Sequence, residues 1–261
     1  MVKGLYTAYT GLVNQQNRLD VVSNNLANAA TTAYKKEGLT SQSFDEVMAY
    51  KVKDASVGTV NQYIGDLNLG VKIGESYRDY SQGSFRETGE NFDIALSGDG
   101  FFSISFTNKA GETSTMYTRD GNFSMTKDGY LVTKDGDFVL GEGGPIQLPT
   151  DAAKIAIDRD GTITADGVQI DKLAITDFED YNYLEQYGEN LYRALDTATT
   201  KDAAGQVYQG YLEQSNVNVV SEMVEMITIS RAFEANQKAM NAADDTCLLY
   251  TSDAADDLIG V

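Results

Sequence analysis

The ionisable side chains restrict the chemistry open to this chain. Its 261 residues include 39 Asp plus Glu, 20 Lys plus Arg and no His. Without His, the Ser-His-Asp and Cys-His mechanisms and the commonest metal ligand are absent, whereas carboxylate, Lys or Tyr catalysis stays open. Glycosidases pair two carboxylates, and Glu87 with Glu90 or Glu179 with Asp180 are candidates by type. In so acidic a chain, closeness in sequence carries little weight, and a solvated acidic surface is the favoured interpretation.

Asp-Gly pairs recur through the middle of the chain. An EF-hand loop needs oxygen ligands at alternating positions and a closing Glu, and Asp128, Asp135 and Asp137 lack that spacing. Asp-Gly between short apolar runs is instead typical of hairpins, whose turns need positive φ. The Gly-rich run at residues 141–144 precedes Pro145 rather than a helix, so it is not a phosphate loop. We expect turns here, and neither a metal nor a cofactor.

The composition also restricts partners. A formal charge of −19 argues against nucleic acid and against anionic membrane surfaces. The 16 Tyr are interpreted as sheet surface rather than as sugar-binding platforms. The single Cys, Cys247, forms no disulfide within the chain. We find no secretory signal and no apolar run of about 18 residues, so export would need a signal-less route.

Both ends of the chain carry apolar residues at the spacing of paired helices. The N-terminal series is Leu5, Leu12, Leu19 and Leu26, and the C-terminal series is Val219, Met223, Met226, Phe233 and Met240. Sustained 3.5-residue periodicity predicts helices whose apolar seams need another helix. Two interpretations stay open: the seams pair within one chain, or they form an assembly surface shared with neighbouring subunits.

These patterns predict an α+β fold, with paired, coiled-coil-like terminal helices and an inserted all-β domain. The predicted ranges are an N-terminal assembly helix at 1–34, an extended connector at 35–80, a β-rich outer domain at 81–205, a C-terminal assembly helix at 206–246 and an atypical tail at 247–261. Residues 43–52 are a candidate short helix within the connector. Asn218 is expected to cap the last helix, with Glu222 near its positive end.

Several motifs resemble those of one protein family. They are SNNLAN at 23–28 and TTAYKK at 31–36, QGYLEQSNVNV at 209–219 and RAFEANQ at 231–237, and, between them, SQG at 81–83, GDGFF at 98–102, YTRDG at 117–121 and GENLY at 188–192. Together they are similar to the signatures of the flagellar basal-body rod and hook family. Within that family the architecture is most similar to the distal rod type, and next to the proximal rod type.

The resemblance implies a structural, non-enzymatic axial subunit of the bacterial flagellar rod. Such subunits pack their terminal helices in an inner layer, hold the β domain outside it, and leave the cell through the flagellar type III export apparatus without a cleaved signal. The implied partners are copies of the chain, other rod subunits, hook protein and the export apparatus. A hook-type subunit is the alternative within the class. A carboxylate enzyme or a binding module acting on wall glycan is the alternative outside it.

The predicted assembly residues lie on the two terminal helices. They are Leu5, Leu12, Leu19, Leu26, Asn24, Asn25, Asn28, Val219, Met223, Met226, Ile227 and Phe233. Two features depart from the family pattern. Ala33 stands where the family usually has Gly, which costs about 1 kcal/mol if the position needs positive φ. The acidic tail after Thr246 breaks the helical register and is interpreted as foreign to the family.

Overall fold

The computed structural model describes residues 2–51, 62–108, 111–152, 154–188 and 190–256. The chain forms two compact units. The helical unit comprises Met1–Ala27, Glu37–Asp79 and Asn218–Val261, and the β unit comprises Asn28–Lys36 and Tyr80–Val217. The chain therefore passes from one unit to the other after residues 27, 36, 79 and 217.

The elements confirm the predicted α+β class, with one long helix near each end and strands between them. In chain order they are α1 (Val2–Ala27), β1 (Glu37–Ser43), β2 (Val47–Lys51), β3 (Gln62–Leu67), β4 (Val71–Arg78), β5 (Phe85–Glu87), β6 (Ile94–Ser97), β7 (Phe101–Thr107), β8 (Thr113–Thr118), β9 (Ser124–Met125), β10 (Leu131–Val132), β11 (Phe138–Gly141), β12 (Gly144–Pro145), β13 (Ile155–Ile157), β14 (Thr162–Ala165), β15 (Val168–Lys172), β16 (Ile175–Phe178), a 3-10 turn (Tyr181–Tyr183), β17 (Leu184–Tyr187), β18 (Leu191–Ala194), β19 (Thr200–Asp202), β20 (Gln206–Gln209), β21 (Tyr211–Glu213) and α2 (Val219–Asp256).

In the helical unit, α1 and α2 pack against each other in antiparallel directions. Arg18 bonds Glu225, whereas Gly11, earlier in α1, lies against Asn236, later in α2. An antiparallel ribbon of β1 and β4 also packs on α1. A Cβ at Gly70, just before β4, would overlap the Thr10 hydroxyl of α1, so glycine allows this close approach.

Three predicted boundaries and one predicted element differ from the structure, and one of the boundaries is the end of the C-terminal helix, which runs to Asp256 rather than stopping at 246. The N-terminal helix ends at Ala27, because residues 28–31 form a turn in which Thr31 N donates to Asn28 O, and Ala33 has φ of 56°. The C-terminal helix begins at Val219, since residues 206–213 pair in strands. The short helix expected at 43–52 is wrong, because β2 pairs with β3 there.

The predicted cap of α2 is confirmed. The Asn218 Oδ1 atom accepts hydrogen bonds from Val220 N at 3.1 Å and Ser221 N at 3.2 Å. These are two of the donors that the first turn of a helix leaves without a partner. The only acid in that first turn is Glu222.

The β unit is built on a ten-stranded sheet. Its main path runs β17-β18-β8-β7-β11-β10-β9, and β16 joins it through β7. Apolar side chains of β6, β7, β11 and β14, including Leu96, Ile104 and Ile163, form the core beneath it. The predicted hairpin chemistry is confirmed between β14 and β15, where Asp166 and Gly167 both have positive φ.

A smaller aromatic cluster surrounds a buried carboxylate. Asp177 accepts hydrogen bonds from Tyr181 Oη and Phe178 N, both at 2.8 Å, and its Oδ2 lies 2.8 Å from Lys201 Nζ. Burial raises the pKa of Asp177, but these three partners outweigh burial, so the pKa lies below its ordinary value. The same burial and the Asp177 charge raise the pKa of Tyr181. The carboxylate is therefore ionised and serves to hold β16, the 3-10 turn and β19 together.

The strained turn after α1 yields a test. We expect Ala33→Gly to raise the free energy of unfolding by about 1 kcal/mol, because φ of 56° is unfavourable for a residue with a Cβ. Ala95→Gly is the control, since Ala95 is also buried but lies in β6 without positive φ. This control should lower the free energy of unfolding by about 1 kcal/mol. Urea unfolding measures both, and a loss of stability in both variants would contradict the strain.

Candidate assembly surface and the anchor beside it

The structure divides the predicted residues of α1 along the helix. Leu12 is buried, Leu19 and Leu26 are half-buried, and Leu5 is exposed. Because α2 and the β1–β4 ribbon both pack on α1, Leu12, Leu19 and Leu26 are covered, wholly or in part, within this chain. Their burial supports the intramolecular interpretation of this part of the seam.

The covered face of α2 follows a different row from most of the predicted residues. Glu222 and Ile229 are buried, and Met226, Phe233 and Asn236 are half-buried, at a regular spacing of four and three residues. Two predicted residues, Met226 and Phe233, thus belong to this row. The other three, Val219, Met223 and Ile227, are exposed on another face.

Polar side chains fix the register between the helices. Asn25 is fully buried and donates from Nδ2 to Glu37 O at 2.8 Å and to Glu222 Oε2 at 3.2 Å. Its Oδ1 accepts Glu37 N at 3.0 Å. Asn25 therefore bridges α1, β1 and α2 of the same chain. Of the other two predicted amides, Asn28 Oδ1 accepts the Thr31 hydroxyl and Asn24 is exposed.

Each helix keeps a second apolar face that is exposed. We call Leu5, Tyr6, Tyr9 and Val13 the α1 patch, and Val219, Val220, Met223, Val224 and Ile227 the α2 patch. Each set lies on one side of its helix, because its members are one, three, four, five, seven or eight residues apart. The most exposed member is Tyr9 at 56% in the α1 patch and Val220 at 71% in the α2 patch. A contiguous exposed apolar face is typical of a surface that binds a partner.

A buried ionic cluster in the β unit lies where the chain enters and leaves it. We call it the junction clamp. Lys35 Nζ is 2.6 Å from Glu213 Oε1, and both side chains are at most 1% exposed. Glu213 Oε1 also accepts Gly83 N at 2.9 Å, and its Oε2 lies 3.5 Å from Arg119 Nη1. One buried carboxylate thus faces two buried bases, and its single negative charge offsets part of their positive charge.

Backbone and amide contacts extend the junction clamp to the chain crossings after residues 36, 79 and 217. Lys35 Nζ donates to Ser81 O at 2.9 Å, and Ala33 N donates to Glu213 O at 2.9 Å. Asn216 accepts Lys36 N at 2.8 Å and donates to Ser81 O at 3.2 Å. The segments that precede β1, precede β5 and follow β21 are therefore tied to one another inside the β unit.

A polar cleft of about 620 Å³ lies elsewhere in the β unit. Two carboxylates, Asp120 and Asp135, line it. The half-buried Asp120 accepts Asn122 N at 3.0 Å, and Asn190 Nδ2 donates to Thr32 O at 2.8 Å. Burial raises the pKa of Asp120 more than its hydrogen bonds with Asn122 and Thr32 and the Lys134 charge lower it. The Asn190–Thr32 bond and the Asp120–Thr32 bond tie this part of the β unit to the segment after α1.

The carboxylate pairs named from the sequence lie on the surface of the protein. Glu87, Glu90, Glu179 and Asp180 are all exposed. Within the described residues, no group of three or more His, Cys, Asp or Glu side chains is arranged to hold a metal ion. Neither described helix has an apolar stretch able to cross a lipid bilayer.

Sequence reasoning missed the junction clamp as a site. Lys35, Arg119 and Glu213 stand inside the motifs at 31–36, 117–121 and 209–219. The available signal was that each of these three motifs contains a charged residue. Nothing in the local sequence indicated that Lys35, Arg119 and Glu213 would lie in contact with one another.

Comparison with known proteins identifies the class. Residues 5–35 match the family model described as Flagella basal body rod protein, residues 95–165 that of the Flagellar hook protein FlgE/F/G D1 domain, and residues 208–246 that of the Flagellar basal body rod FlgEFG protein C-terminal. The last match ends where the atypical tail begins.

Named relatives cover almost the whole chain. Flagellar basal-body rod protein FlgG of Bacillus subtilis is 35% identical, and FlgG of Buchnera aphidicola subsp. Schizaphis graminum is 34% identical, each over 94% of this chain and 96% of its own length. Flagellar basal-body rod protein FlgF of Caulobacter vibrioides is 31% identical over 92% of this chain and 93% of its own.

Paired terminal helices, an inserted β unit and these matches define a structural protein of the bacterial flagellum. The chain belongs to the flagellar basal-body rod protein family.

The junction clamp yields a second test. Glu213→Ala leaves Lys35 and Arg119 buried without their carboxylate, so we expect the free energy of unfolding to fall by about 3–5 kcal/mol. The control is Glu185→Ala, which breaks the Arg193–Glu185 pair, also 2.6 Å long but more than half exposed, and should cost less than about 1 kcal/mol. Urea unfolding followed by circular dichroism compares them. Equal losses would mean that the buried ion pair contributes no more to the free energy of unfolding than the exposed one.

Proposed function

We propose that this chain is an axial subunit of the flagellar rod that assembles with copies of itself through its terminal helices. The observation that carries the proposal is the pair of exposed apolar patches that remain after α1 and α2 have packed together. Each helix carries an exposed apolar patch in addition to the faces that pack within the chain. Burial of these patches requires a partner.

The partners and location follow from the family. Relatives named as rod proteins, and a matching model shared with hook protein, support assembly with other rod subunits and with hook protein in the basal body. Passage through the flagellar export apparatus without a cleaved signal is part of the proposal, and so is a position beyond the cytoplasm. Two FlgG relatives, at 35% and 34% identity, exceed the FlgF relative at 31%, which favours a FlgG-type subunit.

The proposed role is structural rather than enzymatic. The carboxylate pairs that a glycan hydrolase would need are exposed rather than set in a cleft. The buried carboxylates Asp177 and Glu213 and the half-buried Asp120 each have hydrogen-bond partners within the fold. The glycan-hydrolase alternative predicts hydrolysis of peptidoglycan by purified chain that is lost on removal of paired acids, and we expect none.

A substitution in the α2 patch tests assembly. Ile227→Asp places a charge on a side chain that is 54% exposed, so the subunit should fold normally. If Ile227 is buried between subunits, the substitution weakens the binding free energy of each contact by about 2 kcal/mol, which is roughly a 30-fold loss of affinity. We expect a non-motile strain whose basal bodies lack the chain when this variant is the only copy.

Ser221→Asp is the matched control, because Ser221 is exposed on the same helix outside the α2 patch. An acid this early in a helix is favourable. Circular dichroism of both purified variants checks the fold. Motility and normal basal bodies with Ile227→Asp would contradict assembly through this face.

A further inference from the structure

The polar cleft of the β unit has the size of a ligand-binding pocket. Its volume is about 620 Å³, and pockets for small molecules typically have volumes of about 300–1,000 Å³. The residues that line it all belong to the β unit. They come from the segment after α1, from β5, from β7 and the end of β8, and from the hairpins β10–β11 and β17–β18. Distant parts of the chain therefore bring their polar groups to one concave surface, as in binding pockets.

The charged side chains of the cleft balance one another. They are Arg86, Lys134, Asp120 and Asp135. None of the ion pairs formed among the described residues includes any of these four, whereas Arg193 and Glu185 pair even on the exposed surface of the same unit. Because the two charges of each sign cancel, the cleft has no net charge and favours neither an anionic nor a cationic ligand.

The cleft also has hydrogen-bonding capacity that the fold leaves unused. Its neutral polar side chains are Thr31, Thr32, Thr118, Thr133, Asn122 and Asn190. Some of them bond within the fold, as Thr118 Oγ1 does by donating to Asn190 O at 2.9 Å. The side chains of Arg86 and Asn122, in contrast, form no hydrogen bond with another residue that the structure describes. Both groups are planar with several hydrogen-bonding atoms, so each can bond two neighbouring groups of one ligand.

An aromatic pair gives the cleft an apolar wall. The ring centroids of Phe106 and Tyr187 lie 5.3 Å apart, with the rings edge to face. Phe106 is half-buried, and Tyr187 is 42% exposed. Such a ring offers apolar contact area while its hydroxyl stays in water. A ligand that suits this cleft therefore combines apolar C–H surface with several hydroxyl or amide groups and has no net charge, which is the chemistry of a saccharide.

We propose that the polar cleft of the β unit binds a neutral saccharide. The Phe106–Tyr187 wall packs on the C–H face of a sugar ring, and the planar groups of Arg86, Asp120 and Asn122 bond its hydroxyl groups. This binding adds to the proposed structural role and does not depend on it. The competing ligand class is a zwitterionic peptide, whose two opposite charges the four charged side chains would hold.

Two variants of the full chain test the cleft. Tyr187→Ala removes the exposed ring of the aromatic wall, and its control is Tyr183→Ala, because Tyr183 is 43% exposed in the neighbouring 3-10 turn and does not line the cleft. Arg86→Ala removes a planar donor, and its control is Arg193→Ala, at another exposed strand position outside the cleft. Circular dichroism checks the fold of each variant.

Saturation-transfer NMR over a series of ligand concentrations measures binding by the purified chain. The probes are maltotriose and chitotriose, two neutral saccharides without and with acetamide groups, and triglycine as the zwitterion. We expect saturable binding of at least one of the two saccharides. Its Kd should be at least about tenfold weaker in Tyr187→Ala and in Arg86→Ala, and unchanged in both controls, because only the first two variants remove ligand contacts.

Other outcomes overturn the proposal. Saturable binding of triglycine and of neither saccharide would show that the charged side chains hold a zwitterion instead. Saccharide binding that survives both cleft variants, or that falls equally in the controls, would place the contact outside the cleft. No saturable binding of any probe would mean that the cleft is a solvated surface. In each case the proposed role as a rod subunit would stand, because it rests on the helical patches.

Discussion

The β unit depends on one buried carboxylate. Glu213 is removed from water and would be costly if it were not surrounded by Lys35, Arg119 and the Gly83 amide. Buried ion pairs often add little net stability, but they tolerate only one arrangement of their partners. Because those partners come from separate segments, the carboxylate determines where the chain enters and leaves the β unit relative to its own strands.

In the helical unit, each helix has faces covered by neighbouring elements and one apolar face that is exposed. α1 uses one face for α2 and another for the β1–β4 ribbon, with Asn25 bonded to both neighbours. Among the described elements α1 is the main neighbour of α2, and the second apolar row of α2 is exposed. An isolated subunit therefore carries an unfavourable exposed surface, and in the proposed assembly that surface would supply free energy for association.

Polar burial in this chain has structural explanations. Asp120 bonds Thr32 in the segment after α1, Asp177 ties β16 to the turn that follows it, and Glu213 ties Lys35 to β21. A perturbed pKa is a common indicator of an active site, but structural ion networks shift pKa values in the same way. The acidic surface then serves solubility, and an assembly contact must avoid it, as the acid-free first half of α1 does.

The sequence by itself determined the structural features that depend on residues close together in the chain. Seven-residue periodicity identified both helices, the Asn218 cap marked the start of α2, and Asp166-Gly167 marked a hairpin, because each depends on a few adjacent torsions. The family motifs likewise identified the class. Only the tertiary structure decided which apolar row of α2 is covered, since both rows satisfy the same period and only the partner helix chooses between them. It also made β2 a strand, through pairing with β3, and joined Lys35 to Glu213 across 178 residues, because contacts between distant segments leave no local pattern.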